Sequence, residues 1–311
     1  MGKTAFIFPG QGAQYVGMAA DFIRENPDLE KILKEFEKQN RIDLHKIMME
    51  GPESVLRETH ITQPAILFHS IAAWKYFSKR FNLVPDYVAG HSLGEFSALV
   101  VNGVLDFSDA MYLVHKRGDF MLKANQSTPF AMSAIIGLDA GVIKQLCEQV
   151  AQTDLVIAAN FNTPEQTVIS GTHTGVEKVT ELVKAKGVKR VIPLSVGGPF
   201  HSPLIARAEE WLSQEMAEIS FTRSEIPLIS NFNAESVNDP ETIKQNLARQ
   251  ITSPVLWVDS VLKMISLGVD RFFEFGPRKV LSGMIKKIDR NVKILSLDTI
   301  EDFYTIESEL E

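Results

Sequence analysis

The chain has 311 residues, 45% apolar and 23% charged, which is enough apolar surface for a sizeable core without disulfides or metal. A formal net charge of −7 excludes a general nucleic-acid binder, which needs a dominant basic face, but leaves room for a local basic patch that meets phosphates. The length suits one large domain with a smaller one, and the single cysteine, Cys147, excludes an internal disulfide.

Residues 4–8 read as a first strand, with no charged-then-apolar leader before it. No apolar run approaches the roughly 20 residues of a membrane span. The expectation is a cytoplasmic chain with its thiol reduced. The strand runs into Phe8-Pro9-Gly10-Gln11-Gly12-Ala13-Gln14. Two glycines around Gln11 free the backbone to turn its N–H groups toward a ligand, at the strand end where open α/β sheets bind. A plain glycine turn explains the same residues. Helices are expected over 28–39 and 64–77, a strand over 87–89 and a helix over 93–102.

At the junction of that last strand and helix stands Gly90-His91-Ser92-Leu93-Gly94, a G-x-S-x-G motif in the strand–turn–helix setting it requires. A serine at so sharp a turn projects its hydroxyl. The residues two before and two after must lack side chains, because strand and helix cross closely there. Ser92 also falls at a helix N-terminus, where unpaired N–H groups gather, and the Leu93 N–H is placed to hold an oxyanion. The alternative is a chance pentapeptide at a strand–helix junction.

A helix over 109–124 repeats Ala110, Leu113, Val114, Phe120, Met121 and Ala124 at helical spacing, and Arg117 falls on that stripe. A guanidinium on an apolar face is costly without an anion and cannot shed its proton. Either it snorkels or pairs with a structural acid, or its planar fork awaits a carboxylate carried by an acyl group.

From about residue 129 to 196 the pattern changes. A strand over 130–137 and a helix over 140–151 precede strands over 155–159 and 166–170, joined by Asn162-Thr163-Pro164-Glu165. A helix over 175–185 and a strand over 189–194 follow. This β-α-β-β-α-β order is the ferredoxin-like unit, inserted into a larger α/β domain that resumes near Phe200. The expected division is 1–128 and 197–311 for the large domain and 129–196 for the small one. Cys147 reads as a buried small hydrophobe within its helix.

A serine needs a base. Of seven histidines, His45, His60, His69, His115 and His173 lie in helical or loop stretches with no supporting pattern and read as surface or locally bonded residues. His91 is too close in sequence to turn its ring onto Ser92. His201 lies in Gly197-Gly198-Pro199-Phe200-His201-Ser202-Pro203, where flanking prolines restrain it; base and ordinary loop histidine remain equal readings. Strands over 227–230 and 271–275 and helices over 243–249 and 279–288 complete the pattern.

These residues resemble a known family. The chain is similar nearly end to end, from the Gly10-Gln11-Gly12 loop to Phe275-Gly276-Pro277-Arg278-Lys279-Val280-Leu281, to the malonyl-coenzyme A:acyl carrier protein transacylases of bacterial fatty acid synthesis. It also looks like the acyltransferase units of polyketide synthases. The matching motifs are Gly90-His91-Ser92-Leu93-Gly94-Glu95, Lys116-Arg117-Gly118, Asn160-Phe161-Asn162 followed by Gln166, Pro199-Phe200-His201-Ser202, and Gln250-Ile251-Thr252-Ser253-Pro254-Val255.

The resemblance implies a large α/β-hydrolase-like domain with an inserted ferredoxin-like small domain. It implies Ser92 as nucleophile, His201 as base, the Gln11 and Leu93 backbones as oxyanion donors and Arg117 as carboxylate binder. The Gln250 backbone carbonyl would orient the histidine in place of a triad carboxylate. Phe200 resembles the malonyl-selecting form, a ring that leaves no room for a branch at the α-carbon. Met121 lines the same pocket or simply packs in its helix. Phe130 departs from the glycine common in relatives and leaves the details of the channel open. The implied enzyme is a malonyl-CoA:acyl carrier protein S-malonyltransferase working through a malonyl-serine, with malonyl-CoA and the carrier's phosphopantetheine thiol as partners. The coenzyme A thioester is a substrate, so no cofactor or metal is expected, nor any nucleic acid or membrane partner. Two basic clusters, Lys184, Lys186, Lys189 and Arg190, and Lys286, Lys287 and Arg290, either meet coenzyme A phosphates or an acidic carrier, or are solvated faces. Two rivals stand beside the implied transferase: a hydrolase using the same serine and histidine, which Arg117 disfavours, and a non-enzymatic scaffold within a larger synthase, which intact Ser92, His201 and Arg117 disfavour.

Overall fold

The computed structural model describes residues 2–125 and 127–310, so the outermost expected bounds, residues 1 and 311, lie outside the described residues. In chain order the strands are β1 (Lys3–Phe8), β2 (Tyr87–Gly90), β3 (Phe130–Ile136), β4 (Val156–Thr163), β5 (Gln166–Thr172), β6 (Arg190–Pro193), β7 (Leu228–Ile229), β8 (Ser236–Val237), β9 (Val269–Phe275) and β10 (Lys293–Leu297). They form two sheets. The larger has the order β10-β9-β1-β2-β7-β8 and is parallel except for β8.

A parallel sheet needs helices on both faces, and β1 shows how its sequence meets that need. Alternate side chains point to opposite faces. Phe6 and Phe8 enter the main core with the helix Thr59–Ser78, where Phe6 packs edge-on against Phe77 and Phe273. Ala5 and Ile7 enter a second core with Trp257, Val261 and Leu281. The continuous apolar run of β1 is thus buried on both sides.

The smaller sheet is antiparallel with the order β4-β5-β3-β6. The helices Ala140–Val150 and His173–Ala185 supply its own core, in which Ile135, Ile143, Val156, Ile169, Val179 and Cys147 are buried. Burial pushes the Cys147 thiol up to about 12. Met132, Ala134 and Val168 join the main core instead, so the small sheet is packed onto that core. A backbone bridge fixes the contact: Phe161 donates to the Val255 carbonyl at 3.0 Å and Val255 to the Ala159 carbonyl at 2.9 Å.

Several elements differ from expectation. The strand expected over 155–159 runs on to Thr163, because the Val255 bridge and two register shifts carry β4 past Ala159. The turn to β5 is therefore only Pro164-Glu165, and Asn162 belongs to the strand. The helix expected from Pro64 starts at Thr59, with Pro64 inside it, which brings Gln63 onto the helix. The short strands β8 and β10 and the helices Ala206–Ala217 and Trp257–Ser266 were not expected. His69 and His115 are buried rather than superficial; His69 meets Asp298 and His115 the His60 carbonyl. Among the described residues no helix is long and apolar enough to cross a membrane.

Candidate active site

The turn after β2 is built by steric exclusion. A Cβ on Gly90 would lie 1.9 Å from the Gly94 carbonyl carbon, and one on Gly94 would lie 2.1 Å from the Phe8 carbonyl oxygen. Any side chain at either position would push the helix Gly94–Val101 off the strand ends. Ser92, between them, has φ +53°, a left-handed conformation that costs a non-glycine residue about 1–3 kcal/mol. Asn231, just beyond β7, offsets that cost: its Oδ1 accepts the Ser92 N–H at 2.6 Å and its Nδ2 donates to the Gly90 carbonyl at 2.7 Å.

His201 reaches this serine from across the chain. Ser92 Oγ and His201 Nε2 are 2.9 Å apart, and His201 Nδ1 lies 2.8 Å from the Gln250 carbonyl. A carbonyl can only accept, so Nδ1 carries the proton and Nε2 is left to take one from the serine. His201 also has positive φ, +56°, and the neighbouring Ser202 Oγ donates to the Pro199 carbonyl at 2.6 Å. Burial, then the Arg117 charge, pull the His201 pKa down to about 3, so its ring is neutral at neutral pH.

Arg117 is buried on the inner face of the helix Phe107–Lys123. Its Nη1 donates to Gln63 Oε1 at 2.7 Å, and its Nη2 donates to Ser92 Oγ and Gln250 Oε1, each at 2.9 Å. Its Nε is buried and has no partner among the described residues. Among the described residues no carboxylate touches this guanidinium directly; Glu95 acts on it at longer range. Burial lowers Arg117 to about 10, which leaves it charged at neutral pH. Burial likewise pushes Glu95 up to about 8, against the pull of Asn231, Gln250 and Arg117.

Ser92, His201, Arg117 and Gln63 line one cleft of about 190 Å³ between the two sheets. Gln11, Leu93, Phe200 and Met121 all border it. Among the described residues neither the Gln11 nor the Leu93 amide N–H has a hydrogen-bond partner, so two donors beside the serine remain available to an oxyanion. His91 turns away from Ser92: its Nε2 lies 2.8 Å from Asn162 Oδ1, tying the elbow to β4. Of the basic clusters, Arg190, Lys287 and Arg290 share a second groove of about 650 Å³, whereas Lys184 lies on another.

The residues singled out in the sequence for the serine, base, carboxylate fork and oxyanion donors therefore meet in one cleft. Sequence reasoning missed Gln63 and Asn231 and gave Glu95 no role of its own. Gln63 was hidden by the expectation that its helix began one residue later. Asn231 carried a positional signal, since it follows a strand end beside β2.

The geometry is matched by kinship. Residues 5–296 fit the family model described as acyl transferase domain. A malonyl CoA-acyl carrier protein transacylase of Bacillus subtilis (strain 168) is 43% identical over 97% of this chain and 96% of its own length. Among solved structures, an acyl carrier protein S-malonyltransferase from Vibrio cholerae matches with a TM-score of 0.93 at 38% identity, over 98% of this chain and 100% of that one. A type II PKS acyl-carrier protein in complex with its malonyl-transacylase matches with a TM-score of 0.93 at 36% identity, over 99% of each chain.

Proposed function

This chain belongs to the acyl transferase family, and we propose that it moves a malonyl group from malonyl-CoA to the phosphopantetheine thiol of an acyl carrier protein. The observation that carries the reading is the 2.9 Å contact between Arg117 Nη2 and Ser92 Oγ. A fork so close to the nucleophile can only hold a carboxylate about one methylene away from the carbonyl that Ser92 attacks, and malonyl has that length.

The steps follow from the hydrogen bonds. His201 Nε2 takes the Ser92 proton as Oγ attacks the thioester carbon, and the oxyanion rests on the Gln11 and Leu93 N–H groups. The C–S bond breaks, and the leaving sulfur takes the proton from His201. The carrier thiol then gives its proton to His201 and attacks the malonyl-Ser92 ester. As that ester bond breaks, His201 returns the proton to Ser92. The Gln250 carbonyl keeps the imidazole in the right tautomer but carries no full charge to stabilise imidazolium, which suits exchange between thioester and ester. Phe200 closes the pocket over the α-carbon and Met121 its floor, while the coenzyme A thioester is substrate, not cofactor. The basic groove of Arg190, Lys287 and Arg290 is where we place the acidic carrier.

We read the architecture as an α/β-hydrolase-like domain, residues 1–128 and 197–311, with a ferredoxin-like domain, 129–196, inserted. The β-α-β-β-α-β succession and the β4-β5-β3-β6 order support it. We place the protein in the cytoplasm, where its substrates and a reduced thiol belong. The deciding experiment is acyl-enzyme mass spectrometry with malonyl-CoA. The wild type gains a malonyl adduct that an added carrier discharges, and Ser92→Ala gains none; an adduct on Ser92→Ala would refute the assignment.

A further inference from the structure

Beneath the cleft lies a carboxyl that the transfer steps do not use. Glu95 sits in the first turn of the helix Gly94–Val101, is 1% exposed, and among the described residues makes no direct ion pair. Its Oε1 accepts the Asn231 backbone N–H at 2.5 Å, and its Oε2 accepts from Gln250 Nε2. The same Gln250 Nε2 donates to the Ser92 carbonyl at 3.0 Å, and Gln250 Oε1 accepts from Arg117.

A primary amide has one accepting end and one donating end, and what stands at one end decides which way the other faces. With a carboxyl behind it, Gln250 turns its NH2 to Glu95 and its oxygen to the guanidinium. The reverse orientation would set NH2 against Arg117, two donors face to face in a dry site. We infer, on the reading of the reaction given above, that Glu95 is a positioning residue: it fixes the polarity of the Gln250 amide and thereby holds the Arg117 fork ready for the acyl carboxylate. It touches neither substrate nor the reacting atoms.

The test is Glu95→Gln, which keeps the shape and replaces an oxygen that accepts with an NH2 that can only donate. The new amide must offer its oxygen to the Asn231 N–H, so its NH2 meets the Gln250 NH2; Gln250 then either shifts away from that contact or flips, with its oxygen against the Ser92 carbonyl and its NH2 against Arg117, and in both cases its hold on the guanidinium weakens. The preference for malonyl-CoA over acetyl-CoA, read as the ratio of kcat/KM for acyl-enzyme formation, falls about tenfold or more, the scale of one lost charge-assisted hydrogen bond. Acetyl transfer, which needs no fork, changes by less than about threefold. Gln250→Ala lowers the same ratio, and adding Glu95→Gln to it lowers the ratio no further, because both act through one amide.

A merely structural Glu95 would slow both donors equally and lower the melting temperature; that result overturns the inference, as do effects that multiply in the double variant. If Glu95→Gln does not fold, Gln250→Ala alone decides, and an unchanged ratio in it refutes the relay. A wild type that forms no malonyl-serine defeats the transfer reading itself. A labelled wild type with an unchanged ratio in Glu95→Gln defeats only this inference.

Discussion

Removing the guanidinium separates malonyl transfer from acyl transfer in general. In Arg117→Ala, the acyl carboxylate enters a buried site with no cation to meet it. Truncating one partner of a buried charge pair costs about 3–5 kcal/mol, or roughly 10²- to 10⁴-fold in kcat/KM for malonyl-CoA. An acetyl group brings no carboxylate, so its loss is confined to the hydrogen bond from Arg117 Nη2 to Ser92 Oγ, offset by relief from a desolvated charge. Acetyl transfer should stay within about tenfold of wild type, and the malonyl-to-acetyl ratio should fall by at least about tenfold. Gln63 Oε1 and Gln250 Oε1 also lose their donor, at about 1–3 kcal/mol of folding stability each, so denaturant midpoints must be measured beside the kinetics. The assay is single-turnover acylation with each donor, quantified by intact-protein mass spectrometry. A ratio within twofold of wild type would show that the fork does not bind the acyl carboxylate.

Three further outcomes follow from the same geometry. Phe200→Ala opens the cleft beside the α-carbon and should raise methylmalonyl-CoA acylation relative to malonyl by about tenfold, the worth of one methyl group; an unchanged ratio would remove Phe200 from selection. His201 is held well below its unfolded pKa, so below about pH 6.5 the unfolded chain binds the extra proton and stability falls as the pH drops toward 3. Between pH 7 and pH 5 this contributes a loss of about 2 kcal/mol. Glu95, raised to about 8, works in the opposite sense from pH 8 down to its ordinary range, so the readout is the difference in unfolding free energy between wild type and His201→Ala; a flat difference curve contradicts the burial of a neutral ring. Charge reversal at Lys287 and Arg290 should raise the apparent KM for the carrier several-fold, and more so at low salt, while acylation by malonyl-CoA holds; an unchanged carrier KM rejects that docking face.

How far the site could be read from the chain depended on how local each constraint is. The elbow was legible because Gly90 and Gly94 answer a demand made within five residues, and the collision distances of their missing side chains are that demand. Arg117 was legible as an anomaly, a fixed charge on an apolar stripe. Glu95 was an anomaly of the same kind, the one charged residue in the buried helix Gly94–Val101, yet the family motif absorbed it without a reason. His201 was different. Its serine lies 109 residues away, and no periodicity reports such a distance, so sequence patterning left it level with any loop histidine. The carbonyl that fixes its tautomer came only from the family resemblance, since a backbone atom leaves no side-chain signature.

What joins these distant pieces is the strand order. β1, β2 and β7 are neighbours in the larger sheet, and parallel strands end on one edge. The loop after β1 carries Gln11, the turn after β2 carries Ser92, and the segment after β7 carries Asn231. Three groups far apart in the chain are thus within reach of one another before any side chain is placed. The β4 bridge to Val255 then fixes the smaller sheet close to Gln250, and the return from β6 delivers His201 over the serine. Strand adjacency brings Ser92, the Gln11 and Leu93 amides and Asn231 together, whereas the return from the smaller sheet delivers His201 and that sheet closes the cleft. Loosening the Val255 bridge should therefore disturb the Ser92–His201 distance before it disturbs the elbow, and the conformation of Ser92 should outlast the loss of its base.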